Sequence, residues 1–265
     1  MINLTISTAP ALHLSSAGEV RSLCRSGGFT GKTSGSALGF IQANLMIVPR
    51  EYAYDFLLFC QRNPKPCPLI EILETGNPAP HCAPEADLRT DLPAYRVFRD
   101  GKFQEERSDI VDLWQDDFVS FLIGCSYSFE AALLRNGIQL RHIENKHDVA
   151  MYRTNRKCVS AGKMKGDMVV SMRPIKSRDV AQVVEICARY PDVHGAPVHI
   201  GHPHALGIEN LSNPDFGDSI ELLDDEVPVF WACGVTPQIV ALESSLPFCI
   251  THSPGKMFIT DLPLK

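Results

Sequence analysis

The sequence predicts an α/β protein, with a three-layer α/β/α main domain and an inserted, smaller two-layer α/β domain. Three observations lead there. Apolar runs of strand length alternate with segments of helical period. Prolines and hydroxyl residues sit where strands should turn into helices. The composition becomes locally basic between about residues 138 and 221, through Arg153, Arg156, Lys157, Lys163, Lys165 and Arg173. Residues 1–137 and 222–265 are accordingly assigned to the main domain and 138–221 to the insertion.

In chain order, the loop Gly27–Gly35 is rich in glycine but is not a phosphate loop. Lys32 lacks a glycine at the spacing that motif needs. Ala43–Val48 reads as a strand, Pro49 as the start of a helix, Arg50–Cys60 as that helix with Tyr52, Phe56 and Phe59 on one face, and Leu69–Leu73 as the next strand. Together they suggest a βαβ unit with parallel strands, and ligands collect near such strand-to-helix turns. Gly76–Ala86 is a loop, and Arg96–Phe103 around Asp100-Gly101 is a hairpin. A helix is expected through Leu113, Phe118, Phe121 and Leu122 to Gly124, and a second from Ser128 towards Gly137, a C′ glycine. Met168–Met172 reads as a strand, Ser177 as the cap of a helix bearing Val180, Val183, Val184 and Cys187, and Pro197–Ile200 as a strand. Val227–Ala232 and Phe248–Thr251 are expected side by side in the main sheet. Between them Thr236-Pro237 announces a helix, and Met257–Thr260 ends the chain as a strand.

The 265 residues are 45% hydrophobic and 21% charged, enough for a sizeable core without disulfide support. A formal charge of −6 with no Lys/Arg cluster argues against a nucleic-acid partner. Apolar runs such as Phe118–Cys125 fall short of the roughly 18 residues of a membrane span. The first twenty residues lack the charged and apolar regions of a signal peptide. Nine cysteines without a Cys-x-x-Cys pair suggest buried thiols in a reducing compartment, hence a cytoplasmic location.

Several segments could carry chemistry. In Gly124–Glu130, Cys125 is a candidate nucleophile, Glu130 a proton carrier and Ser126 a ligand contact at a helix start, where carboxylates are attracted. Plain capping by Ser126 or Ser128 over a buried thiol explains the same residues. The run His194–His204 holds four of the nine histidines. It contains no Asp or Glu to complete a metal site, so no metal and no cofactor are expected, and His199 is instead a candidate acid or base. Cys233–Pro237 and Thr251–Gly255 end two strands. Thr236 offers a helix start to an anion, Thr251 a hydroxyl and His252 a proton shuttle, although two tight turns would look alike. Arg153 and Asn155, in Tyr152–Asn155, suit a carboxylate grip. An arginine on a solvated strand has the same sequence signature.

The strings Gly39–Leu45, Phe56–Pro68, Asp87–Tyr95, Phe121–Glu130, Met151–Asn155, Met168–Pro174, His194–Gly201, Val227–Pro237 and Thr251–Asp261 together resemble the YcsI-like hydro-lyase family, from about residue 20 onward. Its members include D-glutamate cyclase, which closes D-glutamate to 5-oxo-D-proline with loss of water. Two departures stand out. His202-Pro203 stands where the family pattern has Asp-Pro, and Asp148-Val149-Ala150 where it has Val-Pro before Met151. The resemblance implies an α/β sandwich with a second, smaller α/β domain, and a lyase acting on a small carboxylate. Asn44, inside the first string, joins Ser126, Arg153, Asn155, Thr236 and Thr251 as expected substrate contacts, with Cys125, Glu130, His199 and His252 as expected catalytic groups. The alternatives are a non-catalytic small-acid binding protein and a metal-dependent lactam or amide hydrolase. A homo-oligomer is compatible with either.

Overall fold

The computed structural model describes residues 16–145 and 147–265, so the expectation for the first fifteen lies outside it. In chain order the elements are α1 (Ala17–Arg25), β1 (Phe40–Pro49), α2 (Arg50–Arg62), β2 (Leu69–Ile72), β3 (Tyr95–Arg99), β4 (Lys102–Arg107), β5 (Phe118–Gly124), α3 (Tyr127–Arg135) and α4 (Arg141–Glu144). There follow β6 (Ala150–Lys157), β7 (Asp167–Lys176), α5 (Val180–Ala188), β8 (His199–Ile200), β9 (Glu226–Ala232), α6 (Val235–Glu243), β10 (Phe248–His252) and β11 (Phe258–Pro263).

The fold is mixed α/β with two sheets, and every strand pair is antiparallel. The larger sheet runs β2-β5-β1-β10-β3-β4 with β11 also on β1, and the smaller runs β6-β7-β9-β8. The βαβ expectation is therefore corrected in detail. β1 and β2 are parallel to each other, but β5 lies between them and pairs antiparallel with both. In the smaller sheet β9 splits β7 and β8 in the same way.

Two further expectations fail. Phe118–Gly124 is a strand, not the end of a helix, and every one of its residues is buried. A continuous apolar run that is covered on both faces carries no period to separate helix from strand, and its aromatic and β-branched residues favour the strand. Val227–Ala232 does form a strand, but β9 joins β7 and β8 rather than lying beside β10. The boundary at residue 222 thus does not follow the sheets.

Local signals place the other elements. Asp100 and Gly101 both have positive φ in the β3–β4 turn, as a two-residue hairpin needs. Gly137 has φ 77° and ends α3, with its N–H on Leu134 and that of Ile138 on Leu133. Ser177 does not cap α5, because its hydroxyl donates to the Asp225 carbonyl instead.

The core is layered by these sheets. One face of the larger sheet buries Leu45, Ile47, Tyr95, Leu122 and Phe258 under the loop around Leu88 and Leu92. Its other face packs Phe56 and Phe59 of α2 and Val240 of α6 against Met46, Phe121 and Cys249. Phe129 and Leu133 of α3 and Val183 and Ile186 of α5 meet Ile175 and Trp231 of the smaller sheet. The sheets approach one another through α3 and α6, each of which starts where a strand of its own sheet ends.

Candidate active site

β5 leads into α3 through Gly124-Cys125-Ser126, and β9 leads into α6 through Cys233-Gly234. The two turns are built alike. Ala43 lies opposite Gly124 and Pro49 opposite Phe118, just as Val170 lies opposite Ala232 and Lys176 opposite Glu226. The Cys125 N–H bonds the Gln42 carbonyl at 2.9 Å, and the Cys233 N–H bonds the Val169 carbonyl at 3.0 Å. A hydroxyl one turn on locks each helix to its strand. Ser128 accepts from the Gln42 N–H at 2.9 Å, and Thr236 accepts from the Val169 N–H at 2.9 Å.

The two helix starts face one cavity of about 160 Å³. Ser126 and Tyr127 line it on one side and Gly234 and Val235 on the other, with Asn44, Thr251, His252 and Gly255 between them. Met151, Phe216, Ile239 and Met257 give it an apolar wall. That volume holds a metabolite of amino-acid size, and helix N-termini favour anions.

Glycine makes this approach possible at two points. A Cβ on Gly124 would collide with the Asp192 carbonyl oxygen, and one on Gly234 would collide with the Asn44 side chain. Asn44 donates to the Ile123 and Gly124 carbonyls at 3.2 and 3.1 Å, so it ties β1 to the end of β5 while resting against the α6 turn.

The cavity thus brings together Asn44, Cys125, Ser126, Thr251 and His252. His252 is buried, and burial pushes its pKa down to about 4, with the nearby Arg96 charge acting the same way. The Leu45 N–H reaches its Nδ1 at 3.1 Å, while the Leu45 carbonyl is farther, at 3.5 Å. Nδ1 is therefore the acceptor and Nε2 carries the proton, so the ring is neutral near pH 7 and serves as a hydrogen-bond donor rather than a strong base. Gln238 of α6 lies 3.1 Å from the ring.

Burial pushes the Cys125 thiol up to about 12 and the Cys233 thiol up to about 11. No thiolate nucleophile is prepared here. All nine cysteines are free, and every one except the half-buried Cys158 is buried.

Glu130 stands behind the wall. Arg173 donates to its Oε1 through Nε at 3.0 Å, His142 lies 2.9 Å from the same oxygen, and Arg173 reaches Ser126 Oγ at 3.0 Å. Burial would push the carboxyl up, but the charges and hydrogen bonds of His142 and Arg173 outweigh it and hold Glu130 below its ordinary value. Arg173 is fully buried between Phe129 and Trp231, at 5.2 and 5.4 Å from the ring centres. The sequence reading missed it as a site residue, although an arginine directly after the apolar strand read at Met168–Met172 was the signal. It missed Arg96 and Asp148 of the cavity wall too.

The remaining candidates lie elsewhere. The Thr236 hydroxyl is committed to Val169, and the residue sits inside the first turn of α6 rather than capping it. Arg153 is paired with Glu243 at the surface, and Asn155 is exposed. His199 lies tilted against the Phe230 ring and approaches the His202 carbonyl at 3.0 Å, on the edge strand β8 of the smaller sheet. None of these four lines the cavity. Among the described residues no three His, Cys, Asp or Glu gather to hold a metal ion, and no helix is long and apolar enough to cross a membrane.

The sequence profile described as D-glutamate cyclase matches residues 119–261. The chain is 59% identical to a "Putative hydro-lyase" of Stutzerimonas stutzeri, over 92% of each chain. It is 56% identical to one of Rubrobacter xylanophilus, over 92% of this chain and 95% of the other. With the "Putative hydro-lyase YcsI" of Bacillus subtilis it shares 54% identity, again over 92% and 95%. The matched region contains both strand–turn–helix units, and by these likenesses the chain belongs to the D-glutamate cyclase family.

Proposed function

We propose that the chain is a lyase that acts on a small carboxylate, and that its reaction is closure of D-glutamate to 5-oxo-D-proline and water. One observation carries the reading most directly: two helix N-termini and a neutral histidine converge on a single cavity of metabolite size. In this reaction the α-amine attacks the γ-carboxyl carbon, a C–N bond forms, and a C–O bond breaks with the oxygen leaving as water. Negative charge gathers on the carboxyl oxygens along the way, and fixed N–H donors and helix dipoles stabilise it. The starts of α3 and α6 fill that role, with His252 Nε2–H and the Thr251 hydroxyl beside them. Arg96, which also lines the cavity, holds a carboxylate of the substrate. The buried thiols are in keeping with a cytoplasmic location.

The test is incubation with a panel of D- and L-amino and hydroxy acids, followed by mass analysis for the loss of one water. D-glutamate should give 5-oxo-D-proline. A rise in melting temperature with D-glutamate and no conversion under any condition would replace this reading with that of a binding protein.

A further inference from the structure

Two charged residues line the cavity, Arg96 and Asp148, and they are of opposite sign. Each leaves a buried polar atom without a partner, Nε of Arg96 and Oδ1 of Asp148. Of the buried side-chain atoms unpaired among the described residues, these two belong to the cavity wall. Arg96 approaches a carboxylate no closer than 3.8 Å, at Glu106, and lies over the Phe103 ring at 5.4 Å. Asp148 is held on one side alone, by the exposed Lys32 ammonium, 2.9 Å from Oδ2. Arg96 is half-buried with only a distant carboxylate, and Asp148 is paired only through Oδ2, so each keeps an unused polar atom at the cavity wall, and a ligand that carries both a carboxylate and an ammonium matches the pair.

We infer that Asp148 is the ammonium subsite of this cavity, so that the ligand must be an α-amino acid, with Arg96 taking one carboxylate and the helix starts the other. This rests on the small-acid reading above and sharpens it. Three separate contacts would also distinguish the two hands of the amino acid. Lys32 takes the cation position beside Asp148, and its exposed side chain can yield to the ligand's ammonium without leaving a buried charge.

The experiment is calorimetric binding of D-glutamate, 2-hydroxyglutarate and glutarate to the full chain, to Asp148→Asn and to Lys32→Met. The native protein should prefer D-glutamate over the other two acids by about tenfold or more, the factor a charge-assisted hydrogen bond supplies. Asp148→Asn should lose that preference and bind all three alike. Lys32→Met should keep it. Equal binding of all three acids by the native protein, or binding of none, overturns the inference. So does a Lys32→Met protein that reproduces the loss seen in Asp148→Asn, since Asp148 would then be only a clip for the Lys32 segment. Selective binding of D-glutamate that never leads to product sinks the lyase reading and leaves this subsite standing.

Discussion

The unit β1–β5–α3 and the unit β7–β9–α6 share strand pairing, the backbone bond at the cysteine and the hydroxyl lock, yet they differ in what the helix holds one turn in. α3 carries Glu130, clamped by Arg173 of the other sheet and by His142. α6 carries Gln238 at the corresponding place, next to neutral His252 of the larger sheet. The corresponding strand positions differ too, with Met46 where β7 has Arg173. One backbone arrangement therefore supports a fully charged anchor on one side of the cavity and an uncharged one on the other. The lesson is that the backbone sets where the helix starts point, while the side chain behind each start decides whether that side is rigid or adjustable.

The largest expected effect breaks the charged anchor. Arg173→Met leaves the Glu130 carboxylate buried without its main partner and should cost about 3–5 kcal/mol in denaturant unfolding. Combining it with Glu130→Gln copies the Met46 and Gln238 pattern of the other unit. That double variant should lose less stability than Arg173→Met alone, a coupling a double-mutant cycle measures directly.

Next come the two turn glycines. Gly124→Ala drives a methyl into backbone at Asp192 and should cost about 3 kcal/mol, whereas Gly234→Ala meets only the Asn44 side chain and should cost roughly 1 kcal/mol. Gly234→Ala should nevertheless weaken substrate binding, since Asn44 must move into the cavity to make room.

Each turn is also backed by a buried neutral histidine, His194 behind Gly124 and His252 beside Gln238, and burial is the main cause that brings both down to about 4 from 6.5. Their folded values lie below the unfolded one, so the unfolded chain takes up protons first. Stability is therefore complete above pH 6.5 and declines as pH falls towards 4, by roughly 1.4 kcal/mol per pH unit for each histidine. Unfolding measured at stepped pH should show this slope, and His194→Asn or His252→Asn should each remove about half of it.

Smaller still, Ser128→Ala and Thr236→Val should cost a similar amount, about 1 kcal/mol apiece, if the two hydroxyl locks are equivalent. The smallest expected effect is none. Cys125→Ser should retain turnover, and iodoacetamide at pH 8 should leave Cys125 and Cys233 unmodified in the folded protein. Rapid alkylation of either thiol would contradict its protonated, buried state.

Much of this was legible in the sequence because caps, hairpins and helical periods are local. Asp100-Gly101, Gly137 and the Val180–Cys187 face each declared their element within a few residues. Sheet membership was not legible. Which sheet Val227–Ala232 joins depends on β7, some fifty residues earlier, and nothing inside the strand records that choice. Phe118–Gly124 was misread because both of its faces are covered. The site split along the same line. Cys125, Ser126, Thr251 and His252 flank turns and were found as turn residues, whereas Arg96, Asp148 and Arg173 matter through contacts from distant segments. Arg153 and Asn155 differ for the converse reason, being good carboxylate ligands by type on a surface away from the cavity between the helix starts.

The place of β10 and β11 has a consequence for how the enzyme comes into being. The Leu45 N–H on one wall is satisfied by His252, 207 residues away in the chain, and Met257 at the foot of β11 closes the apolar side. A polypeptide emerging from the ribosome therefore holds an open trough beside a β1 paired only to β5 until residues 248–263 arrive. The cavity wall is complete only with the final strands. A chain interrupted before them leaves one edge of β1 bare, and such an edge is a template for pairing with other chains.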